Sequence, residues 1–110
     1  MAGKFELKKV SGGKFKFSLK ASNGRVILSS ESYSDKRAAL DGIASVKKAA
    51  GRDGNYERKT SKKGEAYFAL KAANGEVIGS SEMYSSKSSM ESGIASVKAN
   101  AGAKIFDTTA

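Results

Sequence analysis

Apolar and polar residues alternate with a period of two along the first part of the chain. In residues 14–20, phenylalanine and leucine alternate with lysine and serine, which predicts a strand with apolar groups on one sheet face and cations on the other. Residues 4–10 predict an earlier strand, with Phe5 and Leu7 inward, that ends at a pair of glycines. The chain therefore begins with two strands that share an apolar face.

A turn follows the second strand at Asn23-Gly24. These residue types tolerate the positive φ angles of a type I′ turn, so we expect a hairpin that leads into a third strand over residues 25–30. The same dipeptide recurs at Asn74-Gly75. The pattern predicts a three-stranded meander at each place.

The hydrophobic period then becomes helical. Each predicted helix has an apolar stripe, formed by Ala39, Ile43, Val46 and Ala50 in the first and by Met90, Ile94, Val97 and Ala101 in the second. We expect Ser34 and Ser85 to be the N-caps.

Glycines mark both the ends and the interiors of these helices. Gly51 and Gly102 stand where a left-handed C-cap residue would end each helix. Gly42 and Gly93 lie inside the helices, where glycine costs roughly 1 kcal/mol relative to alanine. Close packing of helix on sheet is the interpretation we favour for the interior glycines.

A shift of 51 positions aligns the two halves of the chain without a gap, and about half of the aligned positions are identical. One copy of about fifty residues would be marginal alone, so we expect the two copies to share one sheet. The predicted fold class is α+β: tandem β-β-β-α(-β) repeats that share one antiparallel sheet, with two helices packed on one face and a pseudo-twofold axis. The domain would span residues 1–110, with repeats 4–51 and 55–102 and a C-terminal strand at 103–108.

Some apolar strand positions are not kept across the repeat. Leu7 corresponds to Arg58, and Phe15 corresponds to Ala66. We interpret both as adaptation at the pseudo-twofold seam.

The recurring motifs resemble a known family. Phe-Glu-Leu-Lys, Phe-Ser-Leu-Lys-Ala before Asn-Gly, Ser-Ser-Glu-Ser-Tyr and Gly-Ile-Ala-Ser-Val-Lys together are similar to the YegP-like family of small bacterial proteins, over nearly the whole chain. The resemblance implies tandem β3-α-β units in one sheet with exchanged C-terminal strands. It supplies no catalytic residues to carry over.

Composition argues against most enzyme chemistry. The chain has no cysteine and no histidine, which removes thiol nucleophiles, histidine bases and nearly all zinc or copper sites. We therefore expect no enzyme activity, no cofactor and no metal. No apolar run is long enough to cross a bilayer, and we expect a cytoplasmic monomer.

The segments 29–34 and 80–85 carry the repeated Ser-Ser-Glu-x-Tyr pattern between a strand and a helix. Glu31 and Tyr33, with Glu82 and Tyr84, could form two symmetric sites for a small polar ligand or a protein. The structural alternative, which we favour, is that serines cap the helix, glutamate favours its positive end and tyrosine covers the core edge.

The net charge of +9 attracts anionic partners such as nucleic acid or an acidic protein. If the helices cover one face, the opposite sheet face shows Lys8, Lys16, Lys20, Lys59, Tyr67 and Lys71. The basic cluster at 58–63 lies at a neighbouring turn. Only Tyr67 is placed to stack on a base, so a solvated, solubilising face is the favoured alternative. The resulting hypothesis is a non-enzymatic binding module with a basic surface, with nonspecific nucleic-acid binding and the Ser-Ser-Glu-x-Tyr sites as alternatives.

Overall fold

The computed structural model describes residues 3–109, which form one sheet and two helices. The elements, in chain order, are β1 (Lys4–Val10), β2 (Lys14–Lys20), β3 (Val26–Ser30), α1 (Lys36–Ala49), β4 (Tyr56–Thr60), β5 (Ala66–Lys71), β6 (Val77–Ser80), α2 (Lys87–Asn100) and β7 (Lys104–Asp107). Short 3₁₀ turns at Ser11–Gly13 and Asp53–Asn55 precede β2 and β4.

The strands form one seven-stranded sheet in the order β4-β5-β6-β3-β2-β1-β7. The two repeats join at its centre, where β3 pairs antiparallel with β6 through Ser29 opposite Ser80 and Ser30 opposite Gly79. The sheet is mixed, because β7 runs parallel to β1 while all other neighbours are antiparallel. The predicted α+β fold with two repeats sharing one sheet is confirmed.

A single core joins the repeats. Both apolar helix stripes and the inward residues of the strands belong to one buried cluster, whose largest fully buried members include Phe5, Phe17, Phe68, Leu28 and Leu70. Burial of one such side chain contributes roughly 1.5–3 kcal/mol. Since neither helix has a core of its own, each repeat depends on its neighbour for burial.

The seam is not where the sequence suggested. β1 and β4 lie at or next to opposite ends of the sheet, so the Leu7 to Arg58 exchange is far from the β3–β6 seam, and Phe15 and Ala66 also lie on strands outside it. That interpretation was wrong, since strand order cannot be read from repeat position alone.

The hairpin turns differ from the predicted type I′. No residue other than glycine has a positive φ among residues 3–109, and Gly24 (φ 85°) is the left-handed residue of its turn. Its N–H donates to the Ala21 carbonyl at 2.9 Å, and Asn23 Oδ1 accepts the N–H of Arg25 at 3.0 Å. Asn23 is therefore a hydrogen-bonding residue of the turn and not a left-handed one. The second repeat repeats this geometry.

Both helices begin one residue later than Ser34 and Ser85 would require. Asp35 Oδ1 accepts the backbone N–H three residues on at 2.8 Å, and Ser86 Oγ does the same at 3.1 Å. The backbone of Tyr33 still pairs with β2, so the chain leaves the extended conformation only after that residue.

The helix ends also differ from prediction. Gly51 and Gly102 are not left-handed, and each helix is followed by an alanine C-cap in the right-handed region. After α1 the N–H of Arg52 donates to the Ala49 carbonyl at 3.2 Å, so a right-handed turn closes this end and no left-handed residue is needed.

The interior glycines lie at close contacts, as predicted. A Cβ atom on Gly42 would come 2.9 Å from both Phe17 Cε2 and Tyr33 Cζ. Gly93 has the same relation to Phe68 and Tyr84. No helix among residues 3–109 is long and apolar enough to span a bilayer.

Candidate functional site

The sheet face opposite the helices, called the outer face below, carries the predicted basic residues. The strand register places Lys16 opposite Lys8, and Tyr67 opposite Lys59, on outward-pointing positions. Lys20 and Lys71 hold equivalent outward positions at the ends of β2 and β5. Alternation along the sequence was enough to predict that these residues share one face, because successive side chains of a strand point to opposite faces.

Two glutamates neutralise part of this charge. Glu6 pairs with Lys20 at 3.2 Å and with Lys8 at 3.6 Å, and the hydrogen bond from Lys20 is the main reason that the pKa of Glu6 is lowered. The second repeat holds the matching cluster around Glu57. Lys16 on β2 forms no ion pair with residues 3–109.

Phe106 is an exposed aromatic residue of the outer face that sequence reasoning missed. It lies opposite Glu6 in the β1–β7 register, is 52% exposed, and has Lys4 Nζ 5.2 Å from its ring centroid. Sequence alternation in 104–107 separates Ile105 from Phe106, but which of them points outward depends on the pairing of β7. Within residues 3–109 the outer face therefore has two aromatic residues, Tyr67 on β5 and Phe106 on β7.

Small side chains line the middle of the outer face, across the seam. Ser18 lies opposite Ser29, Ser29 opposite Ser80, and Ser80 opposite Ala69. Ser18 Oγ is buried and has no hydrogen-bond partner among residues 3–109. It lies beside a cavity of about 190 Å³ that Lys16 and Ser29 also line. The lysine clusters thus border a shallow strip of small residues.

Two clefts related by the pseudo-twofold lie between the repeats. In each, the β-hairpin loop of one repeat faces the helix and the Ser-Ser-Glu-x-Tyr segment of the other. The first, called the serine cleft, has a volume of about 470 Å³ and is lined by Arg25, Glu82, Tyr84, Ser89, Ser92 and Ser96, among others. The second, called the acidic cleft, has a volume of about 580 Å³ and is lined by Glu31, Tyr33, Asp41, Ser45, Asn74 and Glu76, among others.

The two clefts are formed by equivalent elements but carry different charged residues. Across the repeat Arg25 corresponds to Glu76, and Ser92 corresponds to Asp41. In the serine cleft Arg25 Nη2 lies 3.6 Å from Glu82 Oε2. Among residues 3–109, no group of three carboxylates converges closely enough to hold a metal ion.

Both cleft tyrosines are partly buried. Burial is the main cause that raises the pKa of Tyr33 and that of Tyr84, and the neighbouring glutamate of each motif adds to it. Tyr33 stacks on Phe17 with ring centroids 6.1 Å apart, and Tyr84 stacks on Phe68 at 6.5 Å. The tyrosines cover the core edge, as the structural interpretation predicted, while their hydroxyls lie near the helix glycines.

The serines of the motif hydrogen-bond to the backbone of a neighbouring strand and do not cap a helix. Ser30 Oγ accepts the N–H of Phe17 at 2.9 Å and donates to the Glu31 carbonyl at 2.7 Å. Ser81 makes the corresponding bonds in the second repeat. The predicted capping role was wrong, because these hydroxyls meet the β2 and β5 backbones before the helices begin.

These features define a class of small proteins in which a duplicated β-β-β-α unit forms one sheet with an open outer face. The profile of the domain of unknown function DUF1508 matches residues 11–57 and again residues 61–107. The chain belongs to the family of UPF0339, or YegP-like, proteins.

Relatives and solved structures agree with this assignment. The UPF0339 protein YegP of Escherichia coli K12 is 55% identical over 100 residues, which cover 91% of each chain. A UPF0339 protein of Pseudomonas aeruginosa is 50% identical and covers 89% of each.

The solution NMR structure of yegP from Escherichia coli, a protein of unknown function, matches with a TM-score of 0.94 at 52% identity, covering 99% of this chain and 95% of that one. The solution NMR structure of a UPF0339 protein from Shewanella oneidensis has a TM-score of 0.94 at 45% identity, with 99% and 93% covered.

Proposed function

We propose that this protein is a non-enzymatic binding module whose outer face binds single-stranded nucleic acid through its phosphates. One observation carries the proposal: the helices pack on one face, and the opposite face bears Lys16, Lys20 and Lys71 with the aromatic residues Tyr67 and Phe106. Phosphate contacts supply affinity without reading sequence, and bases stack on exposed aromatic rings.

The dimensions of the face suit an extended strand. Neighbouring strands lie about 4.8 Å apart, so the Glu6 cluster on β1 and the Glu57 cluster on β4 are separated by about 24 Å across the outer face. A few nucleotides would cross the small-residue strip between them. Lys16, which has no carboxylate partner among residues 3–109 and borders this strip beside Ser18, is placed to meet a phosphate there.

The test is an NMR titration of the labelled protein with a mixed-sequence single-stranded RNA at low and at moderate salt. We expect shifts at Lys16, Lys20, Tyr67, Lys71 and Phe106 that fade as salt increases. Each phosphate contact contributes about −0.7 to the slope of log K against log salt for a single strand.

A matched pair of charge reversals separates a local site from net charge. Lys16→Glu on the outer face should weaken binding and flatten the salt slope, whereas Lys48→Glu on the helix side should change both much less. Equal effects of the two variants would show a general attraction of the charged protein. Absence of shifts at low salt would refute the proposal and leave the lysines as solubilising residues.

A second candidate is binding of a small polar ligand or protein group in the serine cleft. The observation that favours it is concave space of about 470 Å³ lined by Arg25, Glu82 and three serines of α2. An NMR screen of small polar compounds should produce shifts at Arg25 and Ser92 that Glu82→Ala abolishes and Glu31→Ala, in the acidic cleft, leaves unchanged. If every compound leaves the serine-cleft signals in place, this candidate is ruled out.

A further inference from the structure

The two ends of the sheet are not equivalent. In the first repeat the outer edge of β1 is covered by β7. Its counterpart β4 pairs only with β5, and no other strand among residues 3–109 lies along its outer edge. The residues that correspond to β7 after α1 form the 3₁₀ turn Asp53–Asn55 and lead into β4 itself, so they cannot lie beside it.

The open edge presents the same backbone groups that β7 uses on β1. The Leu7 carbonyl accepts the N–H of Thr108 at 2.9 Å and its hydroxyl at 2.8 Å, so the backbone of Leu7 points toward β7. Arg58 corresponds to Leu7 and has the equivalent register, opposite Phe68 where Leu7 is opposite Phe17. The N–H and C=O groups of Arg58 therefore point away from β5, toward the open edge.

The lysine that pairs with the carboxylate of β7 also has a counterpart in the second repeat. Asp107 at the end of β7 forms an ion pair with Lys36, the first residue of α1. Lys87, the first residue of α2, corresponds to Lys36 and forms no ion pair with residues 3–109. A cavity of about 230 Å³ lies beside it, lined in part by Arg58.

Pairing of two copies through this edge brings one pair of like charges together at each central register. A twofold antiparallel pair of β4 strands places one residue opposite its own copy, and at the three central positions that residue is Glu57, Arg58 or Lys59. Like charges directly opposite each other destabilise a sheet, and charged edge residues oppose self-association. Insertion of β7 from a second copy would open the β1 edge of that copy and so gain no edge pairing.

We propose that the outer edge of β4 binds an extended segment of a different polypeptide as an added strand. The segment runs parallel to β4, as β7 does on β1, and carries apolar and aromatic residues followed by a carboxylate. The carboxylate takes the place that Asp107 has at Lys36 and bonds to Lys87. Strand addition supplies main-chain hydrogen bonds, and the Lys87 contact fixes register and direction.

The test uses a synthetic peptide with the sequence of residues 103–109, Ala-Lys-Ile-Phe-Asp-Thr-Thr, titrated into the labelled full chain. The intramolecular β7 competes for the β1 edge at an effective concentration in the millimolar range, so the free peptide should bind at β4. We expect shifts along Tyr56–Thr60 and at Lys87, with slower exchange of the Arg58 amide proton. The same peptide with lysine in place of its aspartate should bind more weakly.

Protein variants locate the site. Lys87→Glu removes an exposed ion pair and adds repulsion, so it should weaken peptide binding about threefold or more. Lys48→Glu, with the same change in net charge, should leave binding unchanged. The proposal is overturned if millimolar peptide causes no shifts at β4, if the shifts fall on β1 instead, or if both variants bind alike. It is also overturned if the protein alone dimerises through β4.

Discussion

At Gly93 the helix α2 lies close against the ring of the cleft tyrosine Tyr84. A Cβ atom there would come 2.7 Å from Tyr84 Cζ and 3.3 Å from Phe68 Cε2, so the tyrosine ring would have to move. The ring is restrained, because it stacks on Phe68 and the Tyr84 backbone exchanges hydrogen bonds of 2.7 and 3.0 Å with Ala66. Gly93→Ala therefore improves the helix propensity of α2 but disturbs its contact with the Tyr84 ring.

The two effects have opposite signs. Replacing glycine by alanine inside a helix stabilises it by about 1 kcal/mol, whereas an extra methyl group in a well-packed site costs about 1–3 kcal/mol. We expect Gly93→Ala to lower the free energy of unfolding by about 0–2 kcal/mol. In a Tyr84→Ala background the ring is gone, so the same substitution should raise it by up to about 1 kcal/mol.

The assay is urea unfolding of the four proteins of this double-mutant cycle, with thermal melts as a second measurement. For a domain of this size 1 kcal/mol corresponds to a shift in Tm of about 4 °C or somewhat more. The sign change between backgrounds is the decisive result. If Gly93→Ala stabilises the otherwise unchanged protein, or costs the same with and without the Tyr84 ring, the packing argument is refuted.

Three further predictions follow from hydrogen bonds and pKa values. Ser30→Ala leaves the buried N–H of Phe17 without its partner and should cost about 1–3 kcal/mol of unfolding free energy in urea titrations. The hydrogen bond from Lys36 lowers the pKa of Asp107 to about 2, so its stabilisation of β7 is present above about pH 4 and is lost as pH falls toward 2. Amide exchange of β7 should accelerate in that window, and Lys36→Ala should reduce the pH dependence, leaving the part that comes from the hydrogen bonds of Thr109. Burial raises the pKa of Tyr56 to about 12, so its stabilisation is full below about pH 10 and is lost as pH rises through 12. Alkaline unfolding followed by circular dichroism should shift to higher pH in Tyr56→Phe, and an unchanged midpoint would contradict this.

Features determined by neighbouring residues could be predicted from the sequence. The bounds of the strands 4–10 and 14–20 agree with prediction, and the outward lysines follow from alternation alone. The turn at Asn23-Gly24 was placed correctly but given the wrong conformation, because Asn23 satisfies its turn by a side-chain hydrogen bond without a positive φ. The local sequence pattern thus predicted the positions of the strands better than the conformation of the turns that join them.

Features that depend on pairing between distant strands could not be predicted. The clefts exist because β3 meets β6, which brings the hairpin loop of each repeat to the helix of the other. Phe106 reaches the outer face only because β7 pairs with β1 in the observed register. The sequence contained these residues, but their neighbours lie up to about a hundred positions away, beyond any local period.

Two divergent positions lie where the repeats cannot have equivalent surroundings. Leu28 and Gly79 are equivalent positions beside the seam, and a Cβ atom on Gly79 would lie 2.7 Å from the Ser29 carbonyl oxygen and 3.1 Å from Leu28 Cγ. Two leucines would compete for this space near the axis, so one repeat fills it and the other leaves it free. Towards the ends of the sheet, Leu7 lies on β1, whose outer edge pairs with β7. Arg58 lies on the open edge of β4 and bonds to Glu91. The helix glycines and their tyrosines have equivalent surroundings in both repeats and are unchanged, so at these positions the packing environment accounts for which residues diverged and which did not.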